Sequence, residues 1–338
     1  MRRAKRFWSL PVRVGTRIQV FGLCVVSLLG LGAGPIMAQE WPTRQPIRLV
    51  VGYPPGGSAD ALARDLIPGL SKALGQTIIV DYKPGAGGAI GADVVSKAAP
   101  DGYTIGLLDN GPLTIQGNFR KLPFDPVAGF TPITGISKLP FVLLVNPQNP
   151  AQSLEDLIKQ AKARPGAMSY SSSGQGSMHH ISGELFKNMT KTHILHIPYR
   201  GAAPALLDLL SGQVQMSFAT IVPSMPYIQA NQLKPIAVTS SKRSSLLPNV
   251  PTLSELGLKD FDSQGWFAVF APPNLPPAIT EKLVVAFKVI FEDPILLSKP
   301  SIKGADSMLA TPEQLRLIVK SESESIARLV KAQGIKAD

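Results

Sequence analysis

Three times along this chain a short strand-like run breaks at a cluster of glycine, serine and proline and gives way to a helical pattern. Ile47-Arg48-Leu49-Val50-Val51 runs into Pro54-Pro55-Gly56-Gly57-Ser58, and helix-spaced apolar residues then continue over 61–74 until Gly75 stops them. Residues 77–80 read as the next strand, followed by Pro84-Gly85-Ala86-Gly87-Gly88 and a helix over 89–98. Further on, Ser169-Tyr170-Ser171-Ser172 enters Gly174-Gln175-Gly176-Ser177, with a helix over about 178–189. Strands that alternate with helices in this way assemble as a mostly parallel sheet with helices packed on its faces.

The remaining pattern extends the same architecture. Strands are expected over 104–108, 140–145, 194–198, 214–219, 235–239 and 266–270, and helices over 154–163, 203–210 and 276–291. Ser153 with Asp156 reads as an N-cap pair, and Thr311-Pro312-Glu313-Gln314 opens a last helix with a capping box and an N1 proline. At roughly 150 residues per domain, 338 residues predict two units. The expected class is therefore α/β with two lobes. Lobe 1 is discontinuous, residues 41–140 plus 260–338, and lobe 2 spans 141–259. The chain crosses between them near 138–142 and 258–264, which predicts a hinge there and a ligand in the cleft.

The N-terminus follows a different rule. Arg2, Arg3, Lys5, Arg6, Arg13 and Arg17 come before any acid, an apolar run spans 20–31, and small residues lead to Met37-Ala38. This is the layout of a secretory signal peptide, expected over 1–38, and its apolar run is shorter than the ~18–20 residues of a spanning helix. Without that segment the formal net charge falls from +11 to +5, and Cys24, the one cysteine, is lost as well. The processed chain then has no thiol, which suits an oxidising compartment, and the periplasm is the expected location. The modest positive balance attracts small anions but, with no basic-aromatic cluster, argues against nucleic acid.

Glycine-rich loops between a strand and a helix N-terminus form anion cradles. Exposed N–H groups and the positive end of the helix dipole accept a carboxylate or phosphate, and glycine lets the ligand approach the backbone. Gly56, Gly57, Ser58 and Asp60 mark the first loop, where Ser58 or Asp60 is alternatively a plain helix cap. The second loop has Ile90 where the dinucleotide fingerprint needs glycine, and no Walker lysine follows either loop. Gly176 and Ser177 mark the third. Ser177 lies outside a G-x-S-x-G elbow, so a serine hydrolase is the weakest reading. His179 and His180 diverge on a helix, and His193 and His196 sit at an odd offset along a strand, so no metal site is expected. Arg200 is placed to pair a ligand carboxylate or to be a solvated turn residue. Tyr53, Trp266 and Phe267 either wall the cleft or belong to the core.

Taken in order, several strings resemble one family. They are Tyr53-Pro54-Pro55-Gly56-Gly57-Ser58-Ala59-Asp60, Lys83-Pro84-Gly85-Ala86-Gly87-Gly88 with Gly91, and Pro100-Asp101-Gly102-Tyr103-Thr104. Gly174-Gln175-Gly176-Ser177-Met178-His179-His180, Pro198-Tyr199-Arg200-Gly201 and Val250-Pro251-Thr252 with Glu255 and Gly257 complete the set. The chain resembles the Bug (TctC-type) substrate-binding proteins of tripartite tricarboxylate transporters from about residue 41 to its end. The resemblance implies a two-lobed, class II-like periplasmic binding fold, each lobe a mostly parallel sheet flanked by helices. It implies a non-enzymatic monomer without cofactor or metal, which closes on a small carboxylate or related anion and delivers it to transporter membrane subunits. The alternative is an orphan binding protein that signals to a two-component sensor. Residue by residue, the resemblance carries carboxylate binding onto Gly56, Gly57, Ser58, Gly176 and Ser177, with Asp60 and His180 at motif positions and Tyr53 and Arg200 near the cleft. It also points to Asn110 in the loop Asp109-Asn110-Gly111. Asp109 departs from the family pattern, and an acid there repels an anion or accepts a ligand amine.

Overall fold

The computed structural model describes residues 41–335, so the expected signal peptide lies outside the described residues. The first lobe is built on β1 (Ile47–Val51), which lies between β2 (Ile78–Tyr82) and β3 (Thr104–Asp109) and runs parallel to both. The connections are α1 (Ser58–Leu74) and α2 (Ala89–Ser96). On α1 the buried positions Ala59, Leu62, Ala63, Leu66 and Leu70 recur every three or four residues, so one stripe faces the sheet. The helix ends at Gly75, whose φ of 65° is the left-handed cap that glycine adopts without strain.

The sheet continues through β9 (Gln264–Ala271), antiparallel to β3 on one side and to β4 (Thr131–Val145) on the other. β4 belongs to both lobes. Residues Thr131 to Pro140 pair β9, whereas Phe141 to Val145 pair β7 (Met216–Thr220) and Val142 to Val145 pair β8 (Lys234–Val238). Beyond β7, β5 (Ser169–Ser172) runs parallel to it and to β6 (Leu195–Pro198). The order along the sheet is β2-β1-β3-β9-β4-β7-β5-β6. The second lobe carries α3 (Leu154–Ala163), α4 (Met178–Thr190), α5 (Ala202–Leu210) and α6 (Ile221–Gln229). The C-terminal part adds α7 (Pro277–Ile290), the short α8 (Pro294–Leu297) and α9 (Pro300–Lys303), β10 (Asp306–Ser307) beside β4, and α10 (Pro312–Gln333).

Each lobe has its own core. Ile47, Leu49, Leu62, Leu66, Ile105 and Phe287 are buried together in the first, and Leu143, Leu157, Tyr170, Phe186 and Phe218 in the second. Burying each such side chain stabilises the fold by about 1.5–3 kcal/mol. The last helix spans both lobes. Leu315 and Val319 pack with Trp266 and Phe270 of the first, while Ile326 packs with Phe141, Met178 and Ile181 beside the second.

Two elements differ from the sequence pattern for identifiable reasons. The first part of β4 buries Ile133, Ile136 and Leu139, a spacing of three that does not look like a strand. Irregularities between Pro132 and Thr134 and between Gly135 and Ser137 shift the register against β9, and such bulges break the two-residue period. α6 contains Pro223 and Pro226, which argue against a helix from sequence. Pro223 falls in the first turn, where an N–H would lack an intrahelical acceptor in any case.

Candidate ligand-binding cleft

The three glycine loops of the sequence converge between the lobes. The first follows β1, the second precedes α2, and the third leads from β5 into α4. Glycines of the third loop and of the turn before α5 let the lobes touch. A β-carbon on Gly201 would fall 2.7 Å from the Pro54 ring, and one on Gly176 would fall 2.7 Å from Gln116. At this seam a cavity of about 40 Å³ is lined by Tyr53, Pro54, Gly57, Ser58, Ala59, Asp109, Ser173, His179, Ala202, Thr220 and Phe267. A cavity of that size holds a few waters or a carboxylate group.

What faces this cavity is chiefly the beginnings of helices. α1 starts from Gly57, α5 from Gly201 and α6 from Thr220, and none of these three N-caps has a side chain bonded to the helix's free N–H groups. Away from the cavity some helix starts are capped and others, those of α2, α7 and α9, are not. Ser153 caps α3, and Thr311 with Gln314 forms a full capping box on α10. Three uncapped helix starts therefore bring unsatisfied donors and partial positive charge to one place. Among the described residues lining the cavity there is no lysine or arginine, so the positive potential comes from backbone dipoles.

Two side chains add hydrogen-bonding groups. Ser58 is 7 % exposed and its hydroxyl has no hydrogen-bond partner, at a helix start on the cavity wall. Unmet buried polar atoms are uncommon and call for a ligand or water. His179, in the first turn of α4, pairs its Nδ1 with the Ser173 hydroxyl at 2.7 Å and leaves Nε2 without a partner. Burial pushes its imidazole down to about 4, so it is neutral at pH 7. When the Ser173 hydroxyl donates to Nδ1, Nε2 carries the N–H; when Nδ1 donates to that hydroxyl, Nε2 is an acceptor.

The wall also carries one acid, Asp109. Asp109 ends β3, whose other five residues are buried, and it keeps part of its surface open. Its Oδ2 accepts the Tyr53 hydroxyl at 2.7 Å, and Tyr53 also reaches the Gly87 carbonyl at 3.1 Å. Burial raises the Asp109 carboxyl to about 7, although the Tyr53 hydroxyl and the N–H groups of Asp109 and Gly111 favour its ionised form. Burial, and then the Asp109 charge, hold the Tyr53 hydroxyl well above its ordinary value.

The candidate residues from the sequence divide into wall and support. Tyr53, Gly57 and Ser58 line the cavity, and Gly56 adjoins it, its own β-carbon position lying 3.5 Å from Ala203. Asp60 turns away and braces the first loop, accepting from the Gly56 N–H at 2.9 Å, from Arg64 at 2.8 Å and from Tyr82. Burial opposes its ionisation, but those hydrogen bonds outweigh burial and hold its carboxyl below the ordinary range. Asn110 points to Glu322 of α10 at 2.9 Å, where the Thr114 hydroxyl and the Trp266 indole also donate. Ser177 caps α4 by accepting the His180 N–H at 3.3 Å, and Gly176 donates to His180 Nδ1 at 3.3 Å. His180 is fully buried and stacks on His196 at 4.2 Å, so it shapes the third loop from behind. Arg200 is exposed at the surface. Trp266 is buried against Glu322, while Phe267 next to it reaches the wall.

Pro54, Ala59, Asp109, Ser173, His179, Ala202 and Thr220 line the wall without standing among the candidates. Ala202 and Thr220 follow no motif, since each matters for its place at a helix start. Asp109 had a signal, a lone acid at the carboxyl end of a parallel strand, where open α/β sheets bind ligands. Among the described residues no cluster of His, Cys, Asp or Glu fits a metal ion.

The chain is similar to known proteins over most of its length. Residues 62–335 match the model of the tripartite tricarboxylate transporter family receptor. Protein BugT of Bordetella pertussis is 36 % identical over 306 residues, covering 90 % of this chain and 94 % of that one. A solved R. palustris protein with adipate superposes with a TM-score of 0.84 at 34 % identity, over 88 % of this chain and 99 % of that chain. MatC from Rhodopseudomonas palustris, with bound malate, gives 0.81 at 29 % identity over 85 % and 99 %.

Proposed function

This chain belongs to the tripartite tricarboxylate transporter receptor family, a family of solute-binding proteins rather than enzymes, and we propose that it is a periplasmic receptor for a small carboxylate. The observation that carries the reading is the set of uncapped starts of α1, α5 and α6 around one cavity, with the unpartnered Ser58 hydroxyl among them. A carboxylate supplies what those N–H groups lack. The adipate and malate held by two structural relatives are ligands of that chemistry.

Closure is the proposed mechanism. The wall takes Gly57, Ser58 and Asp109 from one lobe and Ser173, His179, Ala202 and Thr220 from the other, so the full donor set exists only when the lobes meet. A ligand that contacts both lobes favours the closed state by its differential affinity for it. The chain crosses between the lobes within β4 and just ahead of β9, where Leu139 and Pro140 of β4 pair Gly265 and Gln264 of β9. Rotation about that short stretch opens the cleft without disturbing either core. The closed form then delivers its ligand to the membrane subunits of a transporter.

A thermal-unfolding screen against mono-, di- and tricarboxylates, amino acids and aromatic acids tests the reading. A true ligand at 100 times its dissociation constant stabilises by ~2.7 kcal/mol and raises the midpoint. If none of these acids shifts the midpoint, the receptor reading fails.

A further inference from the structure

The cavity wall carries an acid beside its donors, and plain carboxylate binding uses only the donors. Helix starts and the Ser58 hydroxyl supply donors. Asp109 supplies an acceptor and is, among the described residues, the one acidic side chain on the wall. Asp60, Asp81, Asp93 and Asp101 each have an arginine or lysine partner. Asp109 has hydrogen bonds from Tyr53 and nearby N–H groups but no cation. A carboxylate offers about four acceptor positions, so capacity remains beyond these donors. A carboxylate withdrawn from water without a counter-charge is costly, and a second negative group beside it adds repulsion. A cation brought by the ligand removes both penalties, whereas a ligand hydroxyl brings no charge. Phe267, directly across the sheet pairing from Asp109, and Tyr53 offer aromatic surface that also suits a cation.

We propose that Asp109 is a specificity-determining residue that selects an ammonium carboxylate, an amino acid in which the carboxylate meets the helix starts and the ammonium meets Asp109. This rests on the receptor reading and narrows its substrate class.

Calorimetry on the purified protein with matched trios tests it: aspartate, succinate and malate, then alanine, propionate and lactate. In at least one trio the amino member should bind about tenfold or more tighter than the unsubstituted and hydroxy members, the worth of one charge-assisted hydrogen bond. Asp109→Asn should erase that preference. In the unaltered protein, amino-acid affinity should rise from pH 6 to pH 8 as Asp109 ionises, and affinity for an unsubstituted acid should fall. Tyr53 and His179 are the other titratable side chains on the wall, and both stay neutral over that range. If succinate, propionate or their hydroxy forms bind as well as the amino members, or if Asp109→Asn keeps the preference, the inference is overturned and the receptor reading stands. If no member of either trio binds and the wider acid panel also fails, both fall together.

Discussion

At the scale of single residues, burial moves two cavity side chains in opposite directions. Asp109 is raised to about 7, so the folded protein holds a proton that the unfolded chain releases near 4. Its contribution to stability is full below about pH 4 and is lost as pH rises through about 7. His179 is lowered to about 4, so the unfolded chain takes up a proton first. Its contribution is full above about 6.5 and is lost as pH falls through about 4. The two effects oppose each other over the same window. Urea denaturation from pH 4 to 7.5 should therefore show Asp109→Asn gaining on the parent protein as pH rises. His179→Gln should gain on it as pH falls. Parallel curves for parent and variants would show that neither group is buried as described. Asp109 was visible in sequence as an acid inside an otherwise apolar strand end. His179 was visible only as one of two adjacent histidines, and which of the two reaches the cavity depends on the rotation of α4.

At the scale of elements, the two loop serines divide their work. Ser58 follows an uncapped Gly57 and keeps its hydroxyl free, while Ser177 spends its hydroxyl on capping α4. Both read in sequence as serines at a helix start in a glycine loop, and the chain alone does not say which one caps. Ser58→Ala should weaken ligand binding by about 1–3 kcal/mol with little change in the unliganded midpoint. Ser177→Ala should lower stability by about 0.5–2 kcal/mol, the worth of an N-cap, whether or not ligand is present. Titration calorimetry and thermal unfolding of both variants check this, and an interchange of the two effects would contradict the assignment. Local chemistry made the cap at Ser153, the capping box at Thr311 and the glycine stop at Gly75 legible. The first part of β4 was not legible, because its bulges put Ile133, Ile136 and Leu139 on a spacing that no strand template contains.

At the scale of the whole molecule, the alternation of strands and glycine loops specified an α/β fold, and the family match confirms the two-lobed binding architecture. The sequence could not show that β4 serves both lobes, that α10 packs across them, or that Glu322 of α10 gathers Asn110, Thr114 and Trp266. These are contacts between residues far apart in the sequence, set by topology. The wall residues Ala202 and Thr220 were hidden for the same reason, since they count only for where their helices begin. The most direct test is a crystal structure of the protein with whichever acid the screen identifies. The ligand's carboxylate oxygens should lie within about 3.2 Å of the Ser58 hydroxyl and of the N–H groups that open α1 and at least one of α5 and α6. A ligand seated elsewhere, or one whose carboxylate is held by a lysine or arginine while those helix starts face only water, would contradict the account.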